Sequence, residues 1–284
     1  MLKKIFFAAA LLLASELIAK PVVIASIAPV EYLAKAVGGD KIEVQSLAKG
    51  DVHSYEPKPN DMKAVAKARI FIAAGLEFEE AWIPRFKASA KNLVVVKSDA
   101  KIAKLKEERG EQAEHDEKHE AHADPHVWLN PMLAITMARN ISDALIDMDK
   151  ANKDFYLENF QKLMNDLLAF DESAKNELAG LKNRKFVVYH PAWGYFAAHY
   201  DLEQISIERS GKEPKIDEMA STLKMIKDEN IKVIFADPNR SQKSAQILAS
   251  HTGAKVELLD PLGYNLLENL KIAVGAIKDA NSPK

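Results

Sequence analysis

Residues 21–39 read P-V-V-I-A-S-I-A-P-V-E-Y-L-A-K-A-V-G-G. The run from Val22 to Ile27 is short, apolar and partly β-branched, which is typical of a buried strand. A helical pattern follows from Val30 to Val37 and ends at a pair of glycines, a common helix stop. A strand followed directly by a helix is the first unit of an α/β fold.

The same alternation of strand and helix patterns continues along the chain. Further strands are predicted at 42–47, 69–74, 93–97, 185–189, 204–208, 232–236 and 255–259, with helices at 60–68 and from Pro131 onward. Strands separated by helices favour mostly parallel sheets. Between the strands at 93–97 and 185–189, residues 153–181 have apolar side chains three and four positions apart, which predicts one helix of roughly 40 Å. We therefore predict an α/β fold of two lobes, each a mostly parallel sheet with flanking helices, joined by one long rigid helix.

Composition suggests where these units begin and end. Two lysines, an apolar run and a small-residue stretch predict a secretory signal peptide at 1–19, because the run is short for the roughly 20 residues of a membrane span. We expect an N-terminal α/β lobe at 20–150, which includes a mobile histidine-rich acidic loop at about 99–123. The connecting helix is then expected at 151–182 and the C-terminal lobe at 183–284.

Composition also excludes several classes of protein. The chain has no cysteine, which rules out disulfides, thiolate metal ligands, a cysteine nucleophile and a lipid-modified cysteine. Its formal net charge is −2, without the concentrated basic face that nucleic-acid binding requires. With a signal peptide and no anchor, we expect a soluble periplasmic protein.

Histidine is concentrated in one stretch. Residues 114–131 read E-H-D-E-K-H-E-A-H-A-D-P-H-V-W-L-N-P and hold four of the eight histidines. His115, His119 and His122 lie four and three positions apart among acidic residues, so a transient helix could present them on one face as a weak accessory metal site. The alternative is a solvated charged loop with no ligand.

The stronger candidates for a metal site stand at strand ends, where open parallel sheets bind ligands. His53 follows the second strand, His126 the fourth, His190 the first strand of the second lobe, and Asp260 the last strand. Three imidazoles and a carboxylate form an ordinary tetrahedral zinc shell. Each residue alone could equally be a hydrogen-bonded surface group, and Asp260 a turn cap. Glu56 or water are the alternatives for the fourth ligand.

Five motifs resemble the metal-binding cluster of periplasmic substrate-binding proteins that serve ABC importers, specifically its zinc-uptake type. They are G-D-V-H-S-Y-E-P-K-P-N-D at 50–61, D-P-H-V-W-L-N-P at 124–131, Y-H-P-A-W-G-Y-F-A at 189–197, K-D-E-N-I-K-V-I-F-A-D-P at 227–238 and L-D-P-L-G at 259–263. The resemblance covers essentially the whole mature chain and implies two α/β lobes bridged by a long, fairly rigid helix.

The resemblance also implies a function. It makes His53, His126 and His190 the histidine ligands and Asp260 the C-terminal carboxylate. Because manganese-binding relatives carry a carboxylate at the position of His190, it favours zinc. It implies a monomeric protein, not an enzyme, that captures Zn²⁺ as transported ligand between its lobes. The metal would then pass to an inner-membrane ABC permease with a cytoplasmic ATPase, for high-affinity zinc uptake.

Three other functions are open from the sequence. The first is manganese binding within the same family. The second is a secreted zinc hydrolase, which the lack of an H-E-x-x-H helix disfavours. The third is a surface adhesin, which the missing anchor disfavours.

Overall fold

The computed structural model describes residues 20–106, 123–208 and 216–281. In the first lobe the strands are β1 (Val22–Ala25), β2 (Glu43–Ser46), β3 (Ile70–Ala73) and β4 (Val94–Lys97). Its helices are α1 (Ala28–Gly38), α2 (Pro59–Val65), α3 (Glu77–Ser89) and α4 (Pro131–Met148), and α5 (Lys153–Leu178) follows. The second lobe contains β5 (Lys185–Val188), α6 (Gly194–His199), β6 (Glu203–Ser206), α7 (Ile216–Asp228), β7 (Val233–Ala236), α8 (Lys243–Thr252), β8 (Lys255–Leu258) and α9 (Leu266–Asn281).

Each lobe is built on one parallel sheet. The strand orders are β2-β1-β3-β4 and β6-β5-β7-β8, and every pairing is parallel. In both sheets the chain moves to one side of its first strand and then crosses to the other. Such a reversal opens a crevice at the carboxyl ends of the strands. The predicted pair of α/β lobes is therefore confirmed.

Helix α5 ties the lobes together. It is 26 residues long, which corresponds to about 39 Å at 1.5 Å per residue. Its buried face consists of Tyr156, Phe160, Leu163, Leu167, Phe170, Asp171, Ala174 and Leu178. This face packs on α1 and α4 of the first lobe and on α9 of the second. Burying each large apolar side chain contributes about 1.5–3 kcal/mol, so α5 belongs to the core of the molecule.

One apolar core runs through both lobes. It includes Phe71 of β3, Leu167 of α5, and Phe186 and Phe235 on one face of the second sheet. The other face of that sheet packs separately against α7 and α8, with Ile234 at its centre. A core shared between lobes resists large changes in their relative position, because opening it would expose apolar surface.

The structure differs from the sequence predictions in two respects. Helix α3 was not predicted, because Pro84 interrupts its pattern. Most strands are shorter at their ends than predicted, since pairing stops before the apolar run does. The domain boundaries at 150 and 182 stay predictions, although α5 falls between them.

Several predictions fall on segments outside the described residues. They are the signal peptide at 1–19 and the accessory histidines His115, His119 and His122. Of the expected loop at 99–123, the described ends meet in an antiparallel bridge between Lys106 and Ala123. Within the described ranges, no helix is both long and apolar enough to cross a membrane.

Candidate metal centre

Three histidines meet at the carboxyl ends of the two sheets. His53 lies between β2 and α2, His126 precedes a 3-10 turn at Val127–Leu129, and His190 lies two residues after β5. Their ring centroids are 5.4 Å (His53–His126), 5.0 Å (His53–His190) and 5.3 Å (His126–His190) apart. One nitrogen from each ring lies within 4.8 Å of the other two. The first lobe supplies two of these rings and the second lobe one.

The local sequence explains how His53 and His126 are presented. Asp51 accepts the backbone N–H of His53 at 3.2 Å, which forms a tight turn of the kind that aspartate favours. Beyond His126, Asn130 caps α4 by accepting the N–H of Met132 at 2.9 Å. Pro131 then occupies the first turn of α4, where its missing N–H costs nothing.

The ring nitrogens suit a zinc ion. His126 and His190 are buried, at 3% and 6% exposure. Nε2 of His53 is buried without a hydrogen-bond partner among the described residues. An orphaned buried nitrogen costs free energy, which a metal ion would recover. Tetrahedral zinc holds its nitrogens about 3.4 Å apart, so the rings need to move by only about 1 Å.

A carboxylate fixes the orientation of His126. Oδ1 of Asp124 lies 2.7 Å from Nδ1 of His126 and also accepts its backbone N–H at 2.9 Å. Nε2 is therefore left for a metal, with the ring held in that tautomer, as is usual for metal-binding histidines. A Cβ at 194 would lie 3.2 Å from Oδ2 of Asp124, so any residue larger than glycine would press on this carboxylate and shift it by a few tenths of an ångström. The phenol of Tyr195 donates to the Asp124 carbonyl oxygen at 2.8 Å and so ties α6 to this segment.

His190 has two charged neighbours at the same atom. Its Nδ1 lies 2.9 Å from Oε2 of Glu208 and 2.6 Å from a guanidinium nitrogen of Arg240. Arg240 also lies 3.3 Å from Glu208 and 3.8 Å from Asp51 of the first lobe. This guanidinium is only 15% exposed. Arg240 therefore links both lobes at the edge of the histidine cluster.

Burial and neighbouring charges keep the imidazoles of His53 and His190 neutral. Burial, together with the neighbouring His126 and Arg240, lowers the pKa of His53 to about 4. Burial likewise holds the pKa of His190 well below its ordinary value of 6.5, with added contributions from His126, Arg240 and His53. Neutral imidazoles keep the lone pairs that a metal ion needs.

The structure does not bring Asp260 into this cluster. Asp260 is half-buried, and its Oδ1 accepts hydrogen bonds from the side chain of Asn239 and the backbone of Leu262, each at 2.9 Å. Its loop nevertheless touches the His126 segment, because Nε1 of Trp128 donates to the Pro261 carbonyl oxygen at 2.8 Å. Of the four predicted ligands, three therefore meet and Asp260 stays a prediction. Glu56 is exposed.

Sequence reasoning missed the residues around the histidines. Asp124 stands two positions before His126 within a quoted motif, and Glu208 two positions after β6, so both could have been suspected from their place at strand ends. Arg240 carried no such signal. The two other described histidines lie outside the cluster. His199 pairs with Asp171 of α5 at 2.6 Å, and His251 is exposed on α8.

A family described as "Zinc-uptake complex component A periplasmic" matches residues 23–280. This chain belongs to that family. Its members are metal-binding transport proteins, the substrate-binding proteins of ABC import, so the resemblance drawn from the motifs is confirmed. The three-imidazole donor set agrees with the family and indicates Zn²⁺ as the bound ligand.

Individual relatives span most of the chain. This chain is 30% identical to the "High-affinity zinc uptake system protein ZnuA" of Bacillus subtilis, over 91% of this chain and 86% of that protein. It is 34% identical to a "Putative metal-binding protein" of Treponema pallidum, over 82% of this chain and 77% of that one. A crystal structure of ZnuA superposes with a TM-score of 0.86 at 34% identity, covering 93% of this chain and all of the other.

Proposed function

We propose that this protein is a periplasmic zinc-binding protein that captures Zn²⁺ between its lobes and delivers it to the permease of an ABC importer. The observation that carries the proposal is the cluster of His53, His126 and His190. Its nitrogens lie within 4.8 Å of one another and come from both lobes. The name of the Bacillus subtilis relative, a high-affinity zinc uptake protein, supports the same reading.

The proposed site binds and does not react. Asp124 orients His126 through Nδ1 and leaves its Nε2 for the metal, Glu208 can do the same for His190 when the metal is bound, and His53 offers a buried unpartnered Nε2. Capture requires only that these atoms draw together. Release to the permease requires the reverse movement. We further propose that its partners are an inner-membrane permease and its cytoplasmic ATPase, and that it works as a monomer in the periplasm after export by residues 1–19.

We infer a preference for zinc over manganese. Nitrogen donors suit zinc, whereas manganese prefers carboxylate, carbonyl and water oxygens. The site supplies three imidazoles, and the nearest carboxylates to His126 and His190 are already engaged at Nδ1. A site with this donor set should bind manganese much more weakly.

We keep Asp260 as the proposed fourth ligand. Its loop touches the segment of His126 through Trp128, and Pro261 lines a small cavity together with His190. To reach the metal, the carboxylate has to leave Asn239, which now donates to it at 2.9 Å. Asp260→Asn should weaken zinc binding by about tenfold or more. Unchanged affinity would assign the fourth position to water.

Zinc titration of the metal-free mature protein against a chromogenic chelator tests the site. We expect one tight zinc site that excess manganese does not displace. His53→Ala, His126→Ala and His190→Ala should each abolish tight binding, whereas His251→Ala, which removes an exposed histidine on α8, should not. Tight binding that survives all three cluster substitutions would refute the proposed site.

Delivery needs a separate test in cells. A strain that lacks the gene should grow poorly when zinc is chelated, and the wild-type gene should restore growth, while the His190→Ala gene should not. Radioactive zinc uptake measured in the same strains distinguishes import from simple sequestration. Restored growth without restored uptake would contradict delivery to an importer.

A further inference from the structure

Nδ1 of His190 faces two groups with opposite requirements. The guanidinium of Arg240 lies 2.6 Å away and can only donate a hydrogen bond. The carboxylate of Glu208 lies 2.9 Å away and, when ionised, can only accept one. In a neutral imidazole each ring nitrogen is either a donor or an acceptor. Nδ1 can therefore satisfy one of these neighbours at a time.

The choice at Nδ1 decides what Nε2 can do. If Nδ1 carries the proton and donates it to Glu208, Nε2 keeps a lone pair and can bind a metal ion. If Nδ1 accepts from Arg240, the ring proton sits on Nε2, which then cannot be a ligand. Because Glu208 and Arg240 both reach this atom, they control whether His190 is ready for the metal.

We propose that Arg240 competes with the metal ion for His190. In the metal-free protein its guanidinium donates to Nδ1 and holds His190 in the tautomer that cannot coordinate. When the metal binds, the ring proton leaves Nε2 and the ring is protonated on Nδ1 instead, so that Nδ1–H donates a hydrogen bond to Glu208 and the imidazole stays neutral. Arg240 is thus a positioning residue that limits the affinity of the site and assists release. The inference rests on the proposed function, since it assumes that His190 is a ligand.

Two carboxylates next to Arg240 can bind its guanidinium when it moves away from His190. Its guanidinium lies 3.3 Å from Glu208 and 3.8 Å from Asp51, and both remain available as charge partners after it leaves Nδ1. Asp51 also accepts the backbone N–H of His53. A shift of Arg240 towards Asp51 would therefore act on the loop that carries the first-lobe ligand.

The positive charge of Arg240 also weakens metal binding, as its hydrogen bond to His190 does. Arg240 is 15% exposed, so its positive charge is poorly screened at the site. A divalent cation arriving at the three rings is repelled by it. Removing the charge should therefore strengthen zinc binding, whereas removing an ordinary structural residue should weaken it.

The tautomer itself can be measured directly in the metal-free protein. In metal-free protein labelled with ¹⁵N at histidine, long-range nitrogen–proton NMR spectra report which ring nitrogen is protonated, and His190→Ala assigns the signals. We expect His190 to carry its proton on Nε2 in the wild type and on Nδ1 in Arg240→Ala. A wild-type His190 already protonated on Nδ1 would overturn the inference.

Binding kinetics provide the second readout. Arg240→Ala should bind zinc about tenfold more tightly, mainly through slower dissociation to a chelator, because a repelling charge is lost. Arg139→Ala is the matched control, since Arg139 pairs with exposed Asp143 of α4 and lies over the Phe160 ring of α5. Unchanged or weaker binding by a folded Arg240→Ala protein would refute the inference. If His190→Ala kept tight binding, the proposed site would fail instead, so the two failures are distinguishable.

Discussion

His53 is half-buried and neutral, which makes the stability of the protein depend on pH. Its pKa in the folded chain is about 4, against 6.5 when unperturbed. Between these pH values the unfolded chain binds more protons at this residue than the folded chain does. The contribution of His53 to stability is therefore full above pH 6.5 and is lost as the pH falls towards 4.

Comparison of the metal-free wild type with His53→Gln isolates this effect. Glu79 titrates in both proteins and cancels in the difference, whereas the coupling of His53 to His190 is lost in the variant and is part of the difference. The free energy of unfolding of the wild type, relative to the variant, should fall by up to about 3 kcal/mol between pH 7 and pH 4. Urea unfolding at several pH values measures it. A difference that does not vary with pH would show that His53 is not held neutral.

Asp124 should matter for affinity although we do not place it on the metal. Its carboxylate holds Nδ1 of His126 at 2.7 Å. Asp124→Asn keeps the shape but can no longer accept as a charged group, so zinc affinity should fall about 10–100-fold. Chelator competition measures it, with Asp143→Asn as control, because Asp143 is exposed on α4. Equal losses in both variants would contradict a role through His126.

At the scale of elements, helix α3 depends on one buried carboxylate. Oε1 of Glu79 accepts the N–H of Ala74 at 2.7 Å, and Oε2 accepts those of Gly75 and Leu76 at 2.8 and 3.0 Å. Burial raises the pKa of Glu79 to about 7, while these hydrogen bonds oppose the rise. The side chain therefore closes the turn between β3 and α3 by satisfying three donors.

Glu79→Gln tests this turn. The variant places an amide NH₂ against backbone N–H donors, which leaves at least one buried donor without an acceptor. We expect a loss of about 1–3 kcal/mol in the free energy of unfolding, measured by urea titration at neutral pH. The neighbouring Glu80 is exposed, so Glu80→Gln should change stability very little. Comparable losses in the two variants would argue against the capping role.

The elements show what sequence patterns can and cannot reveal. Strand and helix periods are local, and they placed every strand and α5 to within a few residues. Helix α3 was missed because its start depends on Glu79 reaching back to β3, and Pro84 obscures its pattern. The histidines were found because strand ends converge by topology. Arg240 was not, because its contact with His190 depends on how a loop folds over the site.

At the scale of the whole molecule, the shared core limits how far the lobes can move. Besides α5, hydrogen bonds cross between the lobes near the site, among them two that Trp128 and Tyr195 donate. Nε1 of Trp128 donates to Pro261, and the hydroxyl of Tyr195 donates to Asp124, both at 2.8 Å. Trp128 and Tyr195 are themselves buried, so water cannot easily replace these bonds. A wide hinge opening would break both and expose the core around α5.

Zinc binding should therefore produce only a small closure. The site nitrogens lie within 4.8 Å in the metal-free arrangement, and tetrahedral zinc brings them to about 3.4 Å. Small-angle X-ray scattering should show a radius of gyration that changes by less than about 1 Å on zinc addition. Hydrogen exchange should slow in the loops that carry His53, His126 and His190 and stay constant along α5.

The His190→Ala protein is the control for both measurements, since it should show neither change with zinc. If the radius of gyration of the wild type fell by several ångströms on zinc addition, the lobes of the metal-free protein would have to be far apart in solution despite their common core. In that case Trp128 and Tyr195 would be released in the open form, and α5 would have to bend. Exchange along α5 decides between these outcomes, because a bending helix exposes backbone amides that a rigid one protects.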